Sequence, residues 1–214
     1  MNRAVSWPQL TGLGAGLLAI IRGRAGTGKS TAALSYVTSL LMERSLTTDS
    51  LARPETVLFV SPHLPITQVY KALAELGMPP ETKGIVVRNR LSSLDAQRYA
   101  RSSTIVIDEG YSLRFGPVTW EALINASRHG LVVTWDWSQP IPNNLKERAE
   151  QVVRISGGQA RGTGSYTWDV EIVRTKRGLT LETPAAFTVA SPIELGRINE
   201  LLNDSNRIVE RRGI

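Results

Sequence analysis

Apolar runs and helical periodicities alternate along the chain, and their order predicts the architecture. Leu17-Leu18-Ala19-Ile20-Ile21 is apolar throughout and reads as a buried strand. From Lys29 to about Glu43, Ala33, Val37, Leu40 and Leu41 recur at helical spacing and predict a helix with one buried face. The polar stretch Thr47 to Pro54 ends in proline and reads as a loop. Val57-Leu58-Phe59-Val60 is a second strand. Ile66, Val69, Tyr70, Leu73 and Leu76 then mark an amphipathic helix closed by Gly77. Ile85-Val86-Val87, Thr104-Ile105-Val106-Ile107 and Leu131-Val132-Val133-Thr134 predict further strands, with a helix from Trp120 to Ala126 before the last of them. Strands separated by helices imply right-handed crossovers and a mostly parallel sheet. Strands that are continuously apolar, rather than alternating, imply helices on both faces.

Later in the chain the pattern changes. Val152-Val153-Arg154-Ile155, Thr167 to Arg174 and Ala186 to Val189 read as strands with no long helix between them, and Gly157-Gly158 and Gly162-Thr163-Gly164 read as turns. This predicts an antiparallel extension of the sheet edge, followed by a helix from Ile193 to Leu202. The expected organisation is one α/β domain over 1–214, with a core at 13–156 and a C-terminal β extension and helix at 157–214. No internal repeat or low-complexity tract interrupts it.

One segment carries specific chemistry. Gly23-Arg24-Ala25-Gly26-Thr27-Gly28-Lys29-Ser30 matches G-x-x-x-x-G-K-[ST] at every fixed position and lies between a predicted strand and a predicted helix start. Its glycines let successive backbone N–H groups turn inward on an anion, and the helix N-terminus adds its dipole at the same point. Lys29 is the expected ligand of the β- and γ-phosphates, Ser30 of Mg²⁺, and Thr31 of the α-phosphate. A second strand ends in Asp108-Glu109. Strand C-termini line the ligand crevice of a parallel sheet, so Asp108 is expected to hold Mg²⁺ through water, opposite Ser30, and Glu109 to act as the base on the attacking water. A third strand end carries Asp136 and Gln139; Gln139 is the expected sensor of the γ-phosphate, with Asp136 competing for that role.

Composition narrows the class. Of 214 residues, 42% are hydrophobic and 21% charged, enough apolar material for a real core and too much for a disordered chain. Cysteine is absent, which excludes disulfides, thiolate metal sites and a cysteine nucleophile. The formal net charge of +6 favours polyanionic partners. The run near Leu17 to Ile21 is far shorter than the roughly 20 residues of a spanning helix. Gly12 to Ile21 is not read as a signal peptide, because Arg22 and a glycine-rich loop follow at once. The expectation is a cytoplasmic protein, with viral or phage origin left open.

These residues resemble the RecA-type ATPases, especially the branch of KaiC, RadA and the DnaB helicases, over about Leu13 to Val189. Leu13-Gly14-Ala15-Gly16 is similar to that branch's lead-in to the phosphate loop. Val57 to Ser61 with the helix ending Leu76-Gly77 is similar to its second strand and helix. Leu145 to Ile155 resembles its segment before the late strands, and Val170 to Gly178 its late strand with a basic finger. The resemblance implies ATP and Mg²⁺ as cofactors, ATP hydrolysis coupled to nucleic acid (DNA foremost), and a homo-oligomeric ring, hexameric by expectation, or a filament. Two departures stand out. The branch's catalytic glutamate after the second strand is replaced by Ser61-Pro62-His63-Leu64-Pro65, and Thr175 stands where the finger's lysine belongs, although Arg177 keeps the arginine place. The Asp108-Glu109 pair, Ser127-Arg128-His129-Gly130 and Gln139-Pro140 are similar instead to FtsK/HerA-type translocases, which implies a viral genome-packaging ATPase with Arg128 as its finger. Superfamily 1 helicases share the Asp-Glu pair and the Asp-x-x-Gln spacing. A weakly hydrolysing nucleotide-binding regulator is the third reading.

With no obvious arginine beside its own γ-phosphate in the sequence, the chain is expected to use Arg177, or else Arg128, from a neighbouring copy. Two loops after catalytic strand ends are the nucleic-acid candidates. Gly110 to Pro117 offers Tyr111, Arg114 and Phe115, aromatics for stacking beside a cation for phosphate. Pro140 to Lys146 offers Asn143, Asn144 and Lys146.

Overall fold

The computed structural model describes residues 4–11, 18–46, 56–78, 82–92, 103–127, 130–175 and 185–197. Among them eight strands form one sheet: β1 (Leu18–Gly23), β2 (Thr56–Val60), β3 (Ile85–Arg88), β4 (Ser103–Ile107), β5 (Leu131–Asp136), β6 (Gln151–Gly162), β7 (Ser165–Thr175) and β8 (Ala185–Ala190). Their spatial order is β3-β2-β4-β5-β1-β6-β7-β8. Pairings from β3 through β6 are parallel, and β6–β7 and β7–β8 are antiparallel, as the change of pattern predicts.

The helices are α1 (Trp7–Thr11), α2 (Lys29–Leu46), α3 (Ile66–Glu75), α4 (Pro117–Ala126) and α5 (Asn143–Arg148); residues 192–197 are also helical. Side chains alternate between sheet faces along each strand, so the continuous apolar runs serve two cores. Ile21, Val57, Phe59 and Val106 pack with the α2 and α3 residues Val37, Val69 and Leu73. Ile20, Leu58, Ile105, Ile107 and Val133 pack with Trp120 and Leu123 of α4 and Leu145 of α5. Each helix layer therefore exists because one strand register faces it.

Several elements differ from expectation. Helix α4 starts at Pro117, not Trp120; proline at the first turn needs no N–H partner and presets φ. Residues 143–146, expected in a loop, belong to α5. On α3 only Val69, Leu73 and Leu76 of the apolar set are buried, while Ile66 and Tyr70 are 41% and 42% exposed. Helix α3 does end at Gly77, whose φ of +94° lets the Met78 N–H donate to Leu73 O and the Gly77 N–H to Ala74 O. The largest difference is at Gly157-Gly158, which lie inside β6 at a register shift, not in a turn. A Cβ at residue 158 would stand 2.9 Å from Thr27 O and 3.0 Å from Trp168 Nε1, so this glycine serves close approach of β6 to the phosphate loop. Thr163-Gly164 do form the β6–β7 turn. Leu13 to Gly16, Thr47 to Pro54, Arg128, His129, Lys176, Arg177, Gly178 and the end of the last predicted helix lie outside the described residues.

Candidate functional site

The order β4-β5-β1 sets the site. Strand β1 runs directly into the phosphate loop, β4 ends on the Asp108-Glu109 pair, and β5 stands between them, ending at Asp136 in register with Gly23. All these termini lie at one edge of the parallel sheet.

The loop is a tight cradle. Gly26 and Gly28 take φ of +78° and +80°, and α2 starts at Lys29, placing the helix N-terminus at the loop. Thr27 closes the loop on itself, its hydroxyl donating to Arg24 O over 2.9 Å. The buried Lys29 ammonium donates to Arg24 O at 2.8 Å and to Asp136 Oδ2 at 3.2 Å. The hydroxyl and amide of Ser138, with Lys29 adding, hold the Asp136 carboxyl below the usual carboxylate range. Asp136 is thus the Lys29 partner, and the backbone carbonyl of the exposed Gln139 accepts from Arg22 and Trp135.

Asp108 is almost fully buried. Burial pushes its carboxyl up, against hydrogen bonds from Thr134, Ser30 and Ser61 that favour the charged form. Thr134 donates to Oδ1 at 2.8 Å and Ser61 to Oδ2 at 3.2 Å. Ser30 hydrogen-bonds Asp108 directly, and Ser61 and Thr134 are further partners that sequence reading missed. Among the described residues no group of three or more His, Asp or Glu could cage a metal. A hydroxyl and a single carboxylate suit a cation that keeps its waters and takes its other ligands from phosphates, which is how Mg²⁺ binds.

Glu109 adopts the left-handed conformation, φ 54° and ψ 56°, which is unfavourable for a side chain with a Cβ and is concentrated at functional sites. Its N–H donates to Thr134 Oγ1 at 2.7 Å, and its half-buried carboxylate meets His63 Nε2 at 3.0 Å. The Tyr111 hydroxyl also bonds this carboxylate, and desolvation together with the Glu109 charge pushes the phenol up. Tyr111 thus has its ring edge-on to Trp135, 6.1 Å between centroids, and its polar end on Glu109. Phe115 packs likewise on Trp120 at 5.3 Å. Arg114, Asn143 and Lys146 are exposed, and Asn144 donates to Pro117 O.

A groove of about 280 Å³ flanks the loop, lined by Gly23, Arg24, Thr27, Trp137, Arg154, Ile155 and Ser156. Two cations stand against the Trp137 ring, Arg22 4.5 Å and Arg154 5.6 Å from its centroid, and Arg154 also pairs with Glu171. An arginine therefore does border the phosphate loop within the chain, which sequence reading missed because Arg154 sits in a strand. The finger candidates Arg177 and Arg128 fall outside the described residues.

No family model matches the chain, and no curated protein sequence matches it. Solved structures do. A KaiC-like protein from the archaeon Pyrococcus horikoshii OT3 matches at 16% identity with a TM-score of 0.58, covering 90% of this chain and 100% of that one. The flagellar accessory protein FlaH from Methanocaldococcus jannaschii matches at 16% identity with a TM-score of 0.55, covering 76% of this chain and 80% of that one. At such identities the likeness is one of fold: this chain has the RecA-like fold of P-loop NTPases. Among the described residues no helix is long and apolar enough to cross a membrane.

Proposed function

We propose that the chain is a Mg²⁺-dependent ATPase that couples hydrolysis to a nucleic acid, with DNA the first candidate. The observation that supports this best is the convergence of Lys29 and Ser30, at the start of α2, with Asp108 and Glu109, after β4, at one sheet edge beside a complete phosphate loop. The loop amides and Lys29 bind and orient the triphosphate; Ser30 and Asp108 hold the cation. A Mg²⁺ held by Ser30 and Asp108 would supply charge neutralisation at the triphosphate. Glu109 accepts the proton of the attacking water. The nucleic-acid part rests on the +6 charge and on the exposed Arg114, Asn143 and Lys146. The test is phosphate release by the wild-type chain with and without polymer at about 50 mM salt. Stimulation by single strands is expected; stimulation by duplex alone favours a packaging translocase, and no stimulation favours a nucleotide-binding regulator.

The groove supports a second assignment. Arg154, oriented by Glu171 and Trp137, is the cation proposed to stabilise the transferring phosphoryl group from within the chain, ahead of Arg177 or Arg128 from a neighbouring copy in a ring or filament. Arg154→Ala is expected to lower turnover about 100-fold with nucleotide affinity changed little, read by phosphate release beside nucleotide titration. Wild-type turnover in that variant returns the role to a neighbour's arginine.

A further inference from the structure

We propose that His63 is a positioning residue for Glu109: it fixes the carboxylate that receives the water proton. The inference rests on the ATPase reading above. His63 lies in the loop after β2, far in sequence from Glu109, yet its Nε2 is 3.0 Å from Glu109 Oε2 and 2.8 Å from Ser112 Oγ. An ionised carboxylate only accepts hydrogen bonds, so the nitrogen facing it carries the hydrogen.

The loop holding His63 is itself built. Asn89, after β3, donates from Nδ2 to Ser61 O at 3.0 Å and to Leu64 O at 2.6 Å, bracketing His63 on both sides. The Ser61 hydroxyl is shared between Asp108 and the Leu64 N–H, which tethers the same loop to the Asp108-Glu109 turn. The loop therefore reaches the acidic pair twice, through Ser61 to Asp108 and through His63 to Glu109. Glu109 has three side-chain torsions and a left-handed backbone. Tyr111 supplies one donor to that carboxylate; without His63 as a second, other rotamers are open to it, and proton transfer requires hydrogen-bond reach of the water. The His63 side chain is 59% exposed, so it adds little to the core. Its function, on this geometry, is to restrict Glu109.

The experiment compares wild type, His63→Ala and His63→Gln for kcat, KM, ATP affinity by titration, and melting temperature. Alanine is expected to lower kcat about 10- to 100-fold, because misplacement of a reacting group by an ångström carries that penalty. KM, ATP affinity and melting temperature should stay near wild type. Glutamine, which returns an N–H donor at similar reach, should restore most of kcat. A wild-type kcat in the alanine variant overturns the inference, as does a kcat loss that tracks lost ATP binding or lost folding, or one that glutamine leaves unrepaired. Wild-type protein that binds ATP without hydrolysing it overturns the ATPase reading and this inference together.

Discussion

Glu109→Gln is expected to abolish most ATP turnover while leaving ATP binding intact. A positioned base contributes about 10²–10⁴-fold to such a step, and glutamine removes the basic charge at nearly constant shape. The substituted amide oxygen can still accept from His63, so the loop contact should hold. The position is half-buried and glutamine keeps the size and backbone of glutamate, so melting should change little. Phosphate release should therefore collapse while nucleotide titration and thermal melting remain close to wild type. Turnover within a fewfold of wild type would remove Glu109 from the mechanism and, with it, any function for its contact with His63. Loss of ATP binding along with turnover would mean that the carboxylate supports the cradle instead of the water.

What the sequence discloses divides along physical lines. The parallel core is legible because each strand is an apolar run and each helix a periodic one, and both signals are local. The phosphate loop is legible because backbone amides can only converge on an anion with glycine at fixed positions. The ends of β4 and β5 are partly legible: a carboxylate after an apolar strand stands out, but the small hydroxyls of Ser61 and Thr134 do not, since serine and threonine at strand ends are common for other reasons. Gly157-Gly158 misleads because a glycine required for close approach looks like a glycine required for a turn; only the packing of β6 on Thr27 distinguishes them. Tyr111 and Phe115 read alike in the sequence, since an aromatic beside an arginine suits a stacking surface or the rim of a core; in the fold both pack on tryptophans, Trp135 and Trp120. Arg154, His63 and Asn89 gain meaning only from contacts between segments far apart in the chain.

The same distant packing sets the second large effect. Trp168→Ala is expected to destabilise the protein by about 3–5 kcal/mol, the range for truncating a buried large aromatic, out of a typical total of about 5–15. For a chain of this length each kcal/mol is worth roughly 2–4 °C, so melting should fall by about 6–20 °C. Trp168 is 1% exposed on β7, stacked on Tyr166 at 5.9 Å and tilted against Trp7 at 5.7 Å. A Cβ built on Gly28 would stand 3.1 Å from its indole nitrogen, so the ring backs the phosphate loop from the C-terminal extension. Removing it takes away the support that holds the loop glycines and the start of α2 in their anion-binding form. ATP should then raise the melting temperature less in the variant than in wild type at equal concentration, because ligand stabilisation follows RT ln(1 + [L]/Kd). Trp168→Phe keeps a ring in the space and discards a buried N–H that has no hydrogen-bond partner among the described residues, so it should recover most of both losses. If Trp168→Ala melts low but gains as much from ATP as wild type does, the β extension supports the fold alone, and the phosphate loop keeps its shape without it.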